Sequence, residues 1–214
     1  MEEVFILCAG DSKRWSWENT PKFFVPVFGD KLLPRTIKQV SRYDYTPMVV
    51  THRTDVSSRL EGSCGFIDPE SRLYTCDTLY STSKFWEDRT IVLLGDVLYS
   101  NSVMNKIISH KEDIIFYGNI REREIYALTF TDRSRILKGI QEVDERVRDG
   151  HHGQLWQLFY SINKFGPETF PTWIPYKNGM FSHVEDFTQD FDSVEEYEKF
   201  LKSGFYKDDL AAIK

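Results

Sequence analysis

Short apolar runs of strand length recur along the chain, at Val4 to Ala9, Pro47 to Thr51, Ile91 to Leu94, Ile114 to Tyr117 and Ile125 to Phe130. Several are nearly continuous rather than alternating, the pattern of strands covered on both faces. Between them lie segments with helical spacing. Leu33, Ile37 and Val40 share one face, with Pro34 suited to a first helical turn. Val103, Ile107 and Ile108 follow the cap residues Ser100, Asn101 and Ser102, and Asp77 to Trp86 reads as a further helix. Near the end, Ser193-Val194-Glu195-Glu196 has the form of a capping box, followed by Tyr197, Phe200 and Leu201 on one face. The alternation predicts an α/β layer with a largely parallel sheet, a class in which ligands gather at the carboxyl ends of the strands.

From about Arg121 the pattern changes. Ile136 to Val143 and Leu155 to Ile162 read as strands around the polar turn Arg148 to Gly153, which predicts a β-rich part over 121–181. No repeat, low-complexity stretch or linker interrupts the 214 residues, so a single domain over 1–214 is expected. No apolar run approaches the ~20 residues of a membrane span. Met1-Glu2-Glu3 is acidic and leads straight into a strand-like run, unlike a secretory signal, which predicts a cytoplasmic protein. Cys8, Cys64 and Cys76 lack C-x-x-C spacing and are expected to be free thiols.

The formal charge of −6 argues against a general nucleic-acid surface, which needs clustered Lys and Arg. Much of the negative charge is local: seven acids and no Lys or Arg lie between Glu185 and Glu198. That stretch is either a solvated acidic face or part of a cation site.

Two strand ends carry the candidate chemistry. The first run breaks at Gly10 into a loop with two separated cations, Arg14 and Lys22, able to grip a triphosphate by a planar fork and a mobile point charge. The loop has neither the P-loop pattern nor the G-x-G-x-x-G of a dinucleotide fold. The run Thr90 to Leu94 ends in Gly95-Asp96, which places a carboxylate where a hard cation would meet phosphate. Asp190 and Asp192 flank Phe191, so both carboxylates point to one side of an extended segment. If either meets Asp96, a cation is needed to offset their repulsion. Otherwise Asp192 is only the residue before a capped helix. His151 and His152 sit in a polar turn and need not converge on a metal; Trp15, Trp17 and Trp156 are core or loop anchors unless they stack on a base or a cation.

These residues resemble, in order, the motifs of the sugar-phosphate and phosphocholine nucleotidyltransferases. Leu7-Cys8-Ala9-Gly10-Asp11-Ser12-Lys13-Arg14 with Pro21-Lys22 resembles the family's L-A-A-G-x-G-x-R and P-K. Phe28 to Leu33 resembles its G-x-P-L-L segment, Leu94-Gly95-Asp96 its central metal-binding aspartate, and Asp192 to Tyr197 its closing D-T-P-E-D-L element. Ser12 stands where the family has a second loop glycine, and Val194 where it has proline. The resemblance implies a three-layer α/β/α, Rossmann-like fold, the nucleotidyltransferase variant of the GT-A fold, with a mixed, mainly parallel central sheet. It implies a magnesium-dependent transfer of NMP from a nucleoside triphosphate to a phosphorylated small molecule, a sugar 1-phosphate leading, with release of pyrophosphate. Arg14 and Lys22 would be catalytic. Cys8, Ala9, Gly10, Asp11, Ser12, Lys13, Thr78 and Ser81 would contact the nucleotide, and Asp96 with Asp192 or Asp190 would hold Mg2+. The 121–181 part would bind the acceptor; no nucleic-acid or membrane partner is expected. A GT-A glycosyltransferase consuming a nucleotide sugar, or a noncatalytic nucleotide-binding protein of the same fold, are the alternatives.

Overall fold

In a computed structural model, which describes residues 2–10, 15, 20–71, 73–165 and 179–203, the buried apolar runs assemble into one seven-stranded sheet. Its strands are β1 (Glu2–Leu7), β4 (Met48–Val50), β5 (Gly65–Ile67), β6 (Arg89–Leu94), β8 (Ile114–Asn119), β9 (Glu124–Phe130) and β10 (Phe181–His183), in the order β10-β8-β9-β6-β1-β4-β5. β1 pairs in parallel with β4 and β6, β4 with β5, and β8 with β10, whereas β9 runs antiparallel to both β6 and β8. The sheet is thus mixed and mainly parallel. Two small ribbons complete the strands: β2 (Pro26–Val27) with β3 (Asp30–Lys31), and β7 (Val97–Leu98) with β11 (Gln189–Asp190).

Helices cover both faces because β1 is apolar on both sides. Val4, Ile6 and Cys8 point into one core with α1 (Leu32–Ser41), the short α2 (Thr54–Ser57) and α4 (Asn101–Ser109). Phe5 and Leu7 point into the other with α3 (Thr75–Tyr80), α5 (Arg133–Arg148) and α6 (Leu155–Asn163). The architecture is three-layer α/β/α. α7 (Val194–Ser203) docks through Tyr197 and Phe200 on Val25, Val27, Leu98 and Phe191, a separate apolar cluster beside the sheet. Its start is the capping box expected: Ser193 Oγ accepts from Glu196 N at 3.3 Å, and Glu196 Oε2 accepts from Ser193 N at 2.9 Å. Leu201, expected on the same buried face, is 39% exposed.

The segments expected as strands at Ile136 to Val143 and Leu155 to Ile162 are helices, and the part over 121–181 is not β-rich among its described residues. Ile136, Ile140 and Val143 recur at the helical spacing of four and three, as do Leu155, Leu158, Phe159 and Ile162. Asp132 caps α5 by accepting from Arg135 N at 3.0 Å. Gly139 then lets α6 approach closely, since a Cβ there would lie 2.7 Å from Leu158 Cδ1. Mutual burial of two apolar helix faces outweighs the mild preference of Ile and Val for strands. Asp77 to Trp86 divides into the end of α3 and a 3-10 turn over Ser83–Phe85. The three cysteines are free thiols, and no helix among the described residues is long and apolar enough to cross a membrane.

Candidate active site

The parallel register of β1 and β6 sets Leu7 against Leu94, so the chain leaves both strands at one edge of the sheet, toward Gly10 and Gly95-Asp96. The two exits are tied directly, Gly95 N donating to Leu7 O at 3.0 Å. Contact is so close that a Cβ on Gly95 would lie 2.1 Å from Cys8 Sγ and 3.1 Å from Leu7 O, which is why glycine stands before the aspartate. The buried Tyr99 braces the same corner: its hydroxyl accepts from Leu94 N at 2.9 Å and donates to Tyr126 O at 2.6 Å.

Two further segments bring charge to this edge. Pro21 leads into a 3-10 turn over Lys22–Phe24, whose buried phenylalanines anchor it to the core. β11 pairs antiparallel with β7, placing Asp190 opposite Val97, and Phe191 N donates to Asp96 O at 3.2 Å. With Phe191 buried, Asp190 and Asp192 lie on the same side of the chain next to Asp96. Thr188 fixes this strand by accepting from Ser100 N at 2.9 Å, while Asp186 binds both Thr188 N and the Ser100 hydroxyl.

The ammonium of Lys22, 9% exposed, sits 2.6 Å from Asp96 Oδ2 and 3.6 Å from Asp192 Oδ1. Burial pulls its pKa down, but the charge and hydrogen bond of Asp96, with Asp192 and Asp190 behind, outweigh this and raise it, so Lys22 stays a cation. Lys22 does not offset the whole cluster. Burial, then the charges of Asp96 and Asp192, push Asp190 up to about 7. Burial followed by the charges of Asp190, Asp192 and Asp96 pushes Glu124, at the start of β9, up to about 8.

A cleft runs across this edge in three connected parts. A cavity of about 180 Å³ is lined by Ala9, Gly10, Lys22, Tyr74, Thr78 and Asp96 among others. It meets, at Asp96, a central cavity of about 370 Å³ bounded also by Glu124, Asp190, Asp192, Arg123 and Trp156. A third, of about 420 Å³, continues past Glu122, Glu196 and Lys199.

Of the residues singled out from sequence, Lys22, Asp96, Asp190 and Asp192 converge, and Ala9, Gly10 and Thr78 face the same cleft. Cys8 turns its side chain into the core, although its carbonyl accepts from Thr51 Oγ1 at 3.1 Å. Ser81 is held inside the protein, its hydroxyl donating to Asp77 O at 3.0 Å and accepting from Ser71 N at 3.3 Å. Asp11, Ser12, Lys13, Arg14 and Trp17 lie outside the described residues. Trp15 donates to Thr20 O and packs on Tyr197, an anchoring role, whereas Trp156 lines the cleft while stacking on Phe181. Sequence reasoning missed Glu124, Arg123 and Gln154; the only available sign for Glu124 was an acid at the mouth of a buried strand.

No protein-family model and no curated protein matches the chain by sequence. Solved structures do match its fold. A putative glucose-1-phosphate thymidylyltransferase from Bacillus anthracis aligns over 94% of this chain and 94% of its own, with a TM-score of 0.59 and 16% identity. CTP:phosphocholine cytidylyltransferase from Streptococcus pneumoniae aligns over 94% and 98%, with a TM-score of 0.59 and 16% identity. The chain has the nucleotidyltransferase fold. The inositol-1-phosphate CTP transferase from T. maritima supports the same assignment, over 95% and 97% at a TM-score of 0.58 and 14% identity. In this nucleotidyltransferase fold the carboxylate cluster occupies the edge where the parallel strands end, the place at which open α/β sheets bind ligands.

Proposed function

We propose that the protein is a nucleotidyltransferase, joining NMP from a nucleoside triphosphate to a phosphorylated small molecule, a sugar 1-phosphate being the leading class. The observation that carries this reading is the buried Lys22 ammonium between Asp96 and Asp192 on the floor of the cleft. In the reaction an anionic phosphate oxygen of the acceptor attacks the α-phosphorus, and the bond to the β-phosphate oxygen breaks, releasing pyrophosphate. The nucleophile is already charged, so no side chain has to remove a proton.

Lys22 supplies a preorganised positive charge, kept protonated by its carboxylate neighbours, against the phosphates as negative charge shifts to pyrophosphate. Arg14 is proposed to share that task from the loop after Gly10. The backbone at Ala9 and Gly10, with Thr78 beyond, forms the nucleotide side, where the open space beside Gly10 admits phosphate.

Asp96 and Asp192 suit a hard divalent cation. Both present oxygens toward one position now served by the Lys22 ammonium, and Mg2+ is commonly held by one or two carboxylates together with substrate phosphates. Among the described residues no set of three His, Cys, Asp or Glu side chains converges as a closed metal site, which suits an ion completed by substrate. Bound there, Mg2+ would neutralise and orient phosphate oxygens. The contact with Lys22 favours Asp192 over Asp190 as second ligand.

Pyrophosphate release tests the assignment, measured with ATP, CTP, GTP, UTP and dTTP against a panel of sugar 1-phosphates and phosphocholine, with and without Mg2+. Metal-dependent release for one pair, lost in Asp96→Asn, is expected. Hydrolysis or transfer from a nucleotide sugar without pyrophosphate would move the assignment to glycosyl transfer, and nucleotide binding without turnover to a noncatalytic role.

A further inference from the structure

The turn between α5 and α6 builds a small recess whose chemistry is opposite to that of the main cleft. Gly150, at φ +91°, reverses the chain, and His151 N then donates to Arg146 O at 3.1 Å, folding both histidines over the end of α5. The result is a cavity of about 70 Å³ lined by Arg146, His151, His152, Gln157 and Tyr160. That is several times the ~10–15 Å³ a single water requires. Among the described residues no carboxylate lines it, in a chain of net charge −6 whose adjoining cavity carries Glu124, Asp96, Asp190 and Asp192.

Two of the lining side chains, Arg146 and Gln157, carry donors left available among the described residues. Along α5, Arg133 donates to Glu87 O, Arg135 to Ile162 O, and Arg148 pairs with Asp144, whereas the Arg146 guanidinium has no hydrogen bond or ion pair among the described residues. Gln157 spends its carbonyl oxygen on Gln154 N at 3.1 Å, which turns its amide hydrogens into the remaining capacity. Burial pushes Tyr160 up to about 12, so its hydroxyl remains protonated. A guanidinium fork beside imidazole and amide donors, with no competing acid among the described lining residues, is the donor set that recognises phosphate-class oxyanions.

We propose that this recess binds an oxyanion of the phosphate class. His152 and Gln157 line both the recess and the central cavity containing Asp96 and Glu124, so the anion lies at the far end of the same cleft. Two sources share this chemistry: a second anionic group on the acceptor, which rests on the nucleotidyl-transfer reading, and free phosphate or pyrophosphate, which does not.

The test follows the ring signals of His151 and His152 by NMR as inorganic phosphate or pyrophosphate is added, against chloride at equal ionic strength. Saturable shifts are expected in the wild type and in Asp96→Asn, with affinity lowered about tenfold in Arg146→Gln and again in His151→Gln. Non-saturating shifts, equal shifts with chloride, or unchanged affinity in both variants would overturn the proposal. Acceptor kinetics separate the sources. If the acceptor is the source, Arg146→Gln raises KM about tenfold more for a sugar bisphosphate than for a sugar monophosphate. If free anion is the source, the variant weakens phosphate inhibition and leaves that KM ratio unchanged. Saturable phosphate binding in a protein that releases no pyrophosphate would keep the recess and remove only the transfer reading.

Discussion

The two ends of the central β1–β6 pair carry charge clusters of opposite character. At the amino end, Glu2 faces Arg89 in register, and its carboxylate pairs with Arg89 at 3.2 Å and Lys111 at 2.6 Å while Tyr45 donates to it. Burial opposes ionisation of Glu2, yet the Lys111 and Tyr45 hydrogen bonds and the Arg89 charge outweigh it and hold the carboxyl at about 2. At the carboxyl end Lys22 pairs with Asp96 and Asp192, and the carboxyls of Asp190 and Glu124 nearby are pushed upward instead. Among the described residues the same sheet therefore closes one charge network and leaves the other with excess acid. A closed network holds strands together; one with surplus carboxylates is held in wait for positive charge from outside.

Substitutions should break this symmetry, beginning with the chemistry. Lys22→Ala or Asp96→Asn is expected to lower turnover by about 100-fold or more, near 3 kcal/mol of transition-state stabilisation, while Glu2→Gln leaves kcat within about twofold. Steady-state pyrophosphate release by the three variants checks this, and near-normal turnover in Lys22→Ala would remove Lys22 from the site. Gly95→Ala comes next. The added methyl must displace Cys8 Sγ or the β1 exit, which should cost about 1–3 kcal/mol in denaturant unfolding and depress activity as well.

The two carboxylate clusters should then respond to neutralisation with opposite signs. Glu2→Gln is expected to destabilise by about 1–2 kcal/mol, because Arg89, itself buried, loses its charged partner. Asp190→Asn should stabilise the metal-free protein by about 1 kcal/mol, relieving repulsion at the cost of function. Equilibrium unfolding of both variants decides the point; destabilisation by Asp190→Asn would mean that its carboxylate is paired rather than surplus.

The smallest effect is the pH dependence, and its sign also separates the clusters. Glu2, lowered to about 2, contributes stability present above its unfolded value of 4.5 and lost as pH falls toward 2. Asp190 and Glu124, raised to about 7 and 8, bind protons more tightly folded than unfolded, so stability declines as pH rises through those values. The advantage of Asp190→Asn in thermal unfolding should consequently grow from acidic to alkaline pH.

Much of the fold was legible because its strands are buried on both faces and read as continuous apolar runs, as Val4 to Leu7 and Ile91 to Leu94 illustrate. Short edge elements such as β5 and β10 have three residues each, too few for a periodic signal. α5 was misread because Ile136, Ile140 and Val143 suggest a strand by composition while their spacing is helical. At the site, Asp96 was visible from its place after a buried strand, and the same-side geometry of Asp190 and Asp192 from their spacing around Phe191. The convergence with Lys22 was expected only through the family resemblance, since it depends on β11 returning to pair with β7, about 90 residues earlier in the chain. Glu124 is perturbed by burial and by the acids that this pairing brings near it, of which its own sequence context shows only an acid at the start of a buried strand.

The account turns on the claim that the acid-rich end accepts a nucleotide and the Glu2 end does not. Thermal unfolding with each of the five nucleoside triphosphates, with and without Mg2+, in wild type, Asp96→Asn and Glu2→Gln tests it directly, because ligand binding stabilises the native state by mass action. One triphosphate should raise the transition temperature in a Mg2+-dependent way in wild type and Glu2→Gln and fail to do so in Asp96→Asn. No response to any triphosphate, or an equal response in Asp96→Asn, would contradict it.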